Sequence, residues 1–180
     1  RHLHEAFSFS ANYYQFDGSD DDPRLNYYEI GPQNSRGFRA LKVWLGLRHA
    51  GREGQIAMIR DDIALSKAMF QAVGGNAELE AVTQELSIAT FRFVPKGLPG
   101  MSPAVGEYLN ELNREIVDRL QSGGELFVSN AMVGDRYVLR ACIVNFRTTM
   151  KDVWAVPEIV VRVGREVDQQ RRPLALGGRK

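Results

Sequence analysis

The feature that most constrains the fold is a change in the spacing of apolar residues along the chain. Apolar residues first recur every three to four positions, as in amphipathic helices, and later alternate with polar ones, as in strands with one buried face. The segments follow the order helix, helix, strand, helix, strand, strand, helix. We therefore predict an α+β fold in which helices cover a three- to four-stranded, mostly antiparallel sheet.

Turn residues separate these periodic segments. Gly51 lies between the first two helices, which we expect to form a helical hairpin, and Gly134-Asp135 joins the last two strands as a β-hairpin. Pro157 lies inside the last helix, where we expect a kink or a division into two pieces. The predicted helices span residues 36–49, 53–73, 102–123 and 149–167, and the predicted strands span 79–82, 85–94, 126–133 and 136–146.

A basic helix start follows the turn at residues 31–35. Ser35 is a candidate N-cap, and Arg36, Arg39 and Lys42 then recur every three residues. Cations are unfavourable at the positive end of a helix unless an anion offsets them, and the free amides of such a turn can bind one. Two interpretations are open: a phosphate or carboxylate site at Asn34–Arg36, or a basic helix face that lies in water.

A further cation, Arg140, lies within an apolar alternation on the last predicted strand. It shares one face with Val138, Cys142 and Val144. We expect this face to be buried, and a buried guanidinium needs either a structural carboxylate or the carboxylate or phosphate of a ligand. On the same expectation, Cys142 is an inert residue of the core.

Composition limits the classes of function. A formal net charge of +1 does not favour attraction to nucleic acid or to an anionic membrane. One cysteine cannot form an internal disulfide or a Cys-based zinc site, and no apolar run approaches the roughly 20 residues that cross a bilayer. We find no Ser-His-Asp set, glycine-rich nucleotide loop or metal-ligand spacing. Tyr13 and Tyr14, in an irregular aromatic-rich segment, are candidates for proton exchange at a site that this segment covers.

Two segments carry a resemblance to a known family. Residues 35–44 (SRGFRALKVW) and 137–143 (YVLRACI), the latter followed by Arg147-Thr148, resemble the pyridoxal-phosphate-dependent amino-acid decarboxylases of the aromatic-L-amino-acid decarboxylase family. The likeness covers residues 3–165, approximately. It implies a fold-type I homodimer with pyridoxal 5'-phosphate as cofactor, an amino-acid substrate and active sites at the subunit interface. It also implies a cytoplasmic location, with no nucleic-acid or membrane partner.

The resemblance implies roles for individual residues. Tyr13 resembles the tyrosine of the family's flexible catalytic loop, which protonates the substrate carbon after carbon dioxide leaves. Asn34 and Ser35 match the turn that reaches the cofactor of the partner subunit, and Ser35 also matches a position that influences substrate choice. Arg140 matches a substrate-site arginine of the small domain. Gly37 stands where a second arginine is frequent in the family.

The chain lacks the His-Lys pair whose lysine carries the cofactor in that family. We therefore expect a C-terminal portion of a decarboxylase that begins inside the flexible loop, is inactive alone and has the N-terminal portion of the same enzyme as its partner. A stand-alone, non-catalytic binding or regulatory module is the alternative. The expected divisions are a catalytic-loop remnant of the large domain (1–35), a connecting helical hairpin (36–75), a small domain (76–168) and a flexible tail (169–180).

Overall fold

The computed structural model describes residues 2–8, 27–33 and 37–178. The chain divides into two compact units, Arg1–Ala50 and Gly51–Lys180, each of which is described by itself. Within the described ranges, no helix combines the length and the apolar character that a membrane crossing requires.

The first unit contains two short helical elements and the start of a long helix. Helix α1 (His2–Phe7) contacts a 3-10 turn at Tyr27–Ile30, where His4 Nε2 lies 3.4 Å from Glu29 Oε2. Helix α2 (Arg39–Gly74) begins at Arg39 rather than near Arg36, because Gly37 and Phe38 remain outside it. The apolar side chains of its first turns are exposed, namely Leu41, Val43, Trp44, Leu45 and Leu47.

Gly51 interrupts α2 at the position that the sequence predicts. Its φ of +64° lies in the left-handed region, which glycine adopts without the steric cost that a Cβ would bring. The interruption coincides with the division between the two units. The pairing of the segments before and after Gly51 as a hairpin stays a prediction.

The second unit contains a four-stranded sheet in which every neighbouring pair is antiparallel. Its spatial order is β1-β2-β4-β3, so that two hairpins meet along the central β2–β4 pair. This sheet, covered by helices, confirms the predicted α+β class. The strands are β1 (Leu79–Glu85), β2 (Ile88–Phe93), β3 (Ser129–Val133) and β4 (Arg136–Cys142).

Several strand boundaries differ from the prediction, and β1 continues to Glu85 rather than ending at residue 82. The strand expected over residues 85–94 begins only at Ile88, because Leu86 has a φ of +50° and belongs to the turn after β1. Strands β3 and β4 are shorter than expected, since their cross-strand pairing ends at Ser129 and Cys142. Alternation of apolar residues continues beyond these points and so cannot show where pairing stops.

The later helices begin at side-chain caps. Helix α3 (Pro103–Gly123) follows Ser102, whose hydroxyl accepts a hydrogen bond from the Val105 amide at 3.3 Å. Helix α4 (Met150–Arg171) follows Thr149, which forms a reciprocal capping box with Asp152. Of the two expectations for Pro157, the division of α4 into two pieces is wrong, because one helix contains this residue, and the kink stays a prediction.

Part of the predicted tail is folded. Helix α4 continues to Arg171, and the following 3-10 turn, Leu174–Leu176, brings Leu176 into the hydrophobic core. Arg172 donates to Asp168 Oδ2 at 2.7 Å and to the Lys96 carbonyl at 2.9 Å. These contacts hold residues through 176 against the sheet unit, whereas the proposed domain divisions as a whole stay a prediction.

The hydrophobic core lies between one face of the sheet and the helices. Phe91 and Phe93 of β2 and Leu139 of β4 are fully buried there, beneath α3 and α4 and beside the end of α2. Asn113 of α3 is also fully buried, and its amide bonds the backbone N–H and C=O of Phe93 at 2.8 and 2.9 Å. A helix side chain thereby satisfies the polar groups at the end of β2.

Close packing at Gly164 leads to a prediction about stability. A Cβ at this position of α4 would lie 2.6 Å from Phe93 Cγ, and Phe93 is fully buried. We expect Gly164→Ala to lower the free energy of unfolding of the chain by about 1–3 kcal/mol, measured by urea denaturation. Gly106→Ala is the control, because a Cβ on Gly106 of α3 meets nothing within 4 Å. It should be neutral or stabilising, since alanine favours a helix; equal losses in both variants would contradict the packing argument.

Candidate functional site

Four of the residues in the predicted site lie outside the described part of the chain. These are Tyr13, Asn34, Ser35 and Arg36. Of the basic helix start, Arg39 and Lys42 are exposed, and neither forms an ion pair with another described residue. The remaining site residue, Arg140, lies in the sheet and can be placed in detail.

Arg140 occupies the centre of the sheet but not its core face. It pairs with Thr90 of β2 on one side and with Ser129 of β3 on the other, and it is partly buried. The core contains the alternate residues of β4, Tyr137, Leu139 and Ala141. The prediction that the Arg140 row is the buried row is therefore wrong, because both rows are apolar and alternation alone cannot identify the inner one.

Cys142 also contradicts the prediction that this row of β4 is buried. It follows Arg140 on the same face, and its thiol is exposed rather than part of the core. Phe127 and Val144, which flank the strands on this side, are exposed by 77% and 67%. We call this side the open face of the sheet because the helices cover the other side, although Thr90, Arg92 and Val138 on it are buried. Its residues include Glu80, Thr83, Glu85, Ile88, Thr90, Arg92, Ser129, Arg136, Val138, Arg140 and Cys142.

An ion network occupies one end of the open face. Glu80 of β1 accepts from Arg92 Nε at 2.6 Å on one carboxylate oxygen and from Arg136 Nη1 at 2.7 Å on the other. The Arg92 side chain is only 4% exposed, whereas those of Glu80 and Arg136 are 34% and 39% exposed. One carboxylate thus binds two guanidinium groups, and the three side chains together carry one net positive charge.

Arg140 lies about 13 Å from Arg136 along β4, at roughly 3.3 Å per residue. Beside it, the Thr83 and Thr90 hydroxyls bond each other at 2.6 Å, and Ser129 Oγ donates to the Arg140 carbonyl at 3.2 Å. No carboxylate among the described residues forms an ion pair with its guanidinium. Of the two partners considered for Arg140, the carboxylate or phosphate of a ligand therefore fits the geometry better than a structural carboxylate within these ranges.

The Glu80–Arg92–Arg136 network was missed by the sequence analysis. A weak signal for it exists, because Arg92 stands between Phe91 and Phe93 in a strand with alternating character. An arginine there must face away from the core that the two phenylalanines enter. Its partner Glu80 is twelve residues away, and only the register of β1 against β2 brings the two together.

The charged groups on the helix side have structural roles. Tyr108 donates to Asp168 Oδ1 at 2.6 Å, and burial, followed by this hydrogen bond, raises the pKa of Tyr108. Its hydroxyl therefore keeps its proton. Arg165 donates to Glu78 and, by that hydrogen bond, holds the pKa of the Glu78 carboxyl below its ordinary value.

A groove of about 700 Å³ lies between the end of α2 and α4. Trp154, Pro157 and Val161 form its apolar part, and Arg162 and Glu166 are among its charged residues. Arg162 already pairs with Glu125 and Glu166. None of the predicted site residues lines this groove.

The described residues fit an incomplete anion site. The Arg140 guanidinium can bind a carboxylate or phosphate bidentately. The sequence has no lysine directly after a histidine. The His-Lys pair that anchors pyridoxal 5'-phosphate in the resembled family is therefore not within these 180 residues. Across the ranges that could be searched, no group of three or more His, Cys, Asp or Glu side chains could hold a metal ion.

Comparisons with known proteins agree on one class. No protein-family model matches the chain. An aromatic-L-amino-acid decarboxylase from Bacillus atrophaeus is 28% identical over 93% of this chain and 34% of its own length. Tyrosine decarboxylase 2 from Arabidopsis thaliana is 31% identical over 88% of this chain and 28% of its own length. A structure of Oryza sativa TDC with PLP and tryptamine superposes with a TM-score of 0.69 at 26% identity, over 91% of this chain and 33% of that one.

The antiparallel sheet under three helices is thus the C-terminal architecture of the pyridoxal-phosphate-dependent group II amino-acid decarboxylases. Within that class, the chain belongs to the aromatic-L-amino-acid decarboxylase family and corresponds to a C-terminal portion of its members. It spans about a third of the length of the relatives that it matches.

Removing the charge of Arg140 tests whether this residue has a structural partner. We expect Arg140→Gln to change the free energy of unfolding of the chain by less than about 0.5 kcal/mol, because no ion pair with a described residue is lost. Arg92→Gln is the matched control, and it should cost about 1–3 kcal/mol, since a buried charge-assisted hydrogen bond to Glu80 disappears. A loss at Arg140 as large as that at Arg92 would mean that Arg140 stabilises the fold.

The Glu78–Arg165 pair leads to a pH dependence. Because the pKa of Glu78 is lowered in the folded chain, its contribution to stability is present above the ordinary value of 4.5 and is lost as the pH falls below it. The stability difference between the wild-type chain and Glu78→Gln should therefore shrink between about pH 5 and pH 3, measured by urea denaturation. Glu107→Gln, at an exposed residue of α3, should show no such change. A difference for Glu78→Gln that is constant with pH would refute the assignment.

Proposed function

We propose that this chain supplies the C-terminal part of a pyridoxal-phosphate-dependent decarboxylase that acts on aromatic L-amino acids. The observation that carries the proposal is the match over most of the chain to relatives named aromatic-L-amino-acid and tyrosine decarboxylases, with the same fold in Oryza sativa TDC. The Arg140 guanidinium, which has no ion pair with a described residue, supports it, because amino-acid substrates carry a carboxylate.

Bound pyridoxal phosphate would supply an electron sink for the carbanion that remains when carbon dioxide leaves the substrate. The residues of this chain perform the other tasks in the proposal. Arg140 attracts the substrate carboxylate by charge-assisted hydrogen bonds. Asn34 and Ser35, which precede α2 in the sequence, contact cofactor and substrate in this proposal.

Tyr13 is the proposed catalytic residue. A phenol at the reacting carbon can deliver the proton that replaces the lost carboxylate, and a covering loop that carries it excludes water from the carbanion. The remainder of the enzyme provides the lysine that anchors the cofactor, and two such subunits form the active dimer. On this proposal the chain alone binds no cofactor covalently and is inactive.

The absence of a lysine anchor can be tested on the isolated chain. After incubation with pyridoxal phosphate and borohydride reduction, peptide mass spectrometry should find no single lysine that is modified to completion. The full-length enzyme, treated identically, should carry one modified lysine upstream of this chain. Stoichiometric modification of one lysine within residues 1–180 would show that the anchor assignment is wrong.

The proposed role of Tyr13 is tested in the full-length enzyme. We expect Tyr13→Phe to lower the rate of amine formation from aromatic L-amino acids by about 10²–10⁴-fold, because a general acid is lost. Tyr14→Phe is the matched control, since it removes the neighbouring hydroxyl and leaves Tyr13 in place. Amine formation at the wild-type rate by Tyr13→Phe would exclude this residue as the proton donor.

A further inference from the structure

The groove between the end of α2 and α4 has the size and the lining of a ligand site. Its volume of about 700 Å³ lies within the roughly 300–1,000 Å³ that small-molecule sites occupy. On the α4 side, Trp154, Glu158, Val161 and Arg165 follow one another at intervals of three or four residues, so they share one side of the helix. The groove thus combines an aromatic ring, aliphatic surface and charged groups along a single stripe.

Trp154 gives the groove an exposed aromatic surface. Its side chain is 65% exposed, although the neighbouring Val153 is buried in the core. Pro157 and Val161 are buried and continue the apolar surface into the groove. An indole ring with a free face attracts a second aromatic ring by stacking and a cation through its π-electrons. This part of the groove therefore favours a ligand that carries a ring, a positive charge or both.

The charges of the groove favour a cation over an anion. Arg165 is paired with Glu78, and Arg162 is paired with two glutamates. Glu158, by contrast, forms no ion pair or hydrogen bond with any other residue that the structure describes. Among the described residues, the groove and its ion-pair partners contain two arginines and four glutamates. Negative charge is therefore in excess, and one carboxylate on the wall is left for a ligand.

Trp154 and Glu158 are spaced to act on one molecule. They are one helical turn apart, which places their Cβ atoms about 5–6 Å from each other. In an arylalkylammonium ion, a short alkyl chain holds an aromatic ring and an ammonium group at a similar separation. The ammonium can donate to the Glu158 carboxylate while the ring packs against Trp154. An aromatic carboxylate of the same size would instead meet the excess of negative charge.

We propose that the groove between α2 and α4 binds an arylalkylammonium ion, with its ammonium group at Glu158 and its ring against Trp154. Such amines are the products that the proposed function releases from aromatic L-amino acids. The link between this ligand and the reaction therefore rests on the proposed function, whereas the binding itself rests on the groove.

The fluorescence of Trp154 reports this binding directly. Trp44 is the other tryptophan of the chain, so Trp44→Phe leaves Trp154 as the single reporter. Without added cofactor and near neutral pH, 2-phenylethylamine should change the Trp154 emission saturably, with a dissociation constant in the millimolar range expected of a small ligand. We expect at least about tenfold weaker binding of 3-phenylpropionate, which has the ring and the opposite charge, and of butylamine, which has the cation without the ring.

Glu158→Gln tests the carboxylate in the same Trp44→Phe chain. It should weaken the binding of 2-phenylethylamine about three- to fivefold, because a solvent-exposed ion pair with the ligand is lost. Glu107→Gln removes an exposed carboxylate from α3, outside the groove, and should leave the affinity unchanged. Both variants should keep the melting temperature of the parent chain, since neither carboxylate has a partner among the described residues.

Each outcome decides the proposal. A Trp154 emission that does not respond, or responds without saturating, overturns it, and so does equal affinity for the three compounds or for Glu158→Gln and its parent. If Glu158→Gln does not fold, the comparison of the three compounds on the parent chain still decides. Amine formation by the full-length enzyme separates the two proposals: an active enzyme whose C-terminal chain binds no amine overturns only the groove site, and an inactive enzyme whose chain binds the amine overturns only the decarboxylase.

Discussion

The structure depends on a sheet whose two faces have opposite character. Phe91, Phe93 and Leu139 point to one side, where three helical segments remove them from water. Burial of side chains of this size supplies about 1.5–3 kcal/mol each, which makes that face the main source of stability. The arginines of β2 and β4 necessarily point to the other side, because successive strand residues alternate.

The two sides of the sheet differ in how completely their polar and charged groups are paired. On the helix side, polar groups are satisfied internally: the Asn113 amide serves Phe93, and Tyr108 and Arg172 share Asp168. Within the described residues, no buried side-chain nitrogen or oxygen lacks a partner. On the open face, Arg92 and Arg136 share Glu80, and Arg140 has no ion pair with a described residue, so the charges of this face are less completely paired than those of the helix side.

Most of the architecture could be predicted from the sequence, because helix caps, glycine breaks and apolar spacing are local signals. The break at Gly51, the cap at Ser102 and the hairpin around Gly134 are of this kind. The inner row of β4 could not be predicted, since both of its rows are apolar and the choice depends on which row the helices cover. Strand ends were also misplaced, because pairing depends on a distant strand.

The candidate site was harder to predict, because part of it depends on how distant strands pair. Arg140 could be selected from one strand, but the Glu80–Arg92–Arg136 network forms only when three strands come into register. Tyr13, Asn34 and Ser35 rest on the family resemblance, and their roles stay predictions because they lie outside the described residues.

The anion site at Arg140 is incomplete because this guanidinium has no carboxylate partner among the described residues. A guanidinium without a carboxylate is tolerated at a partly exposed position, because water still solvates it, but it gains most when a partner displaces that water. Arg140 is in this position, and Arg92 and Arg136 share one acceptor between them. A domain that needed only to be stable would gain from a second carboxylate beside these residues. Arg140 can therefore accept a carboxylate or phosphate, whereas Arg92 and Arg136 already share the Glu80 carboxylate.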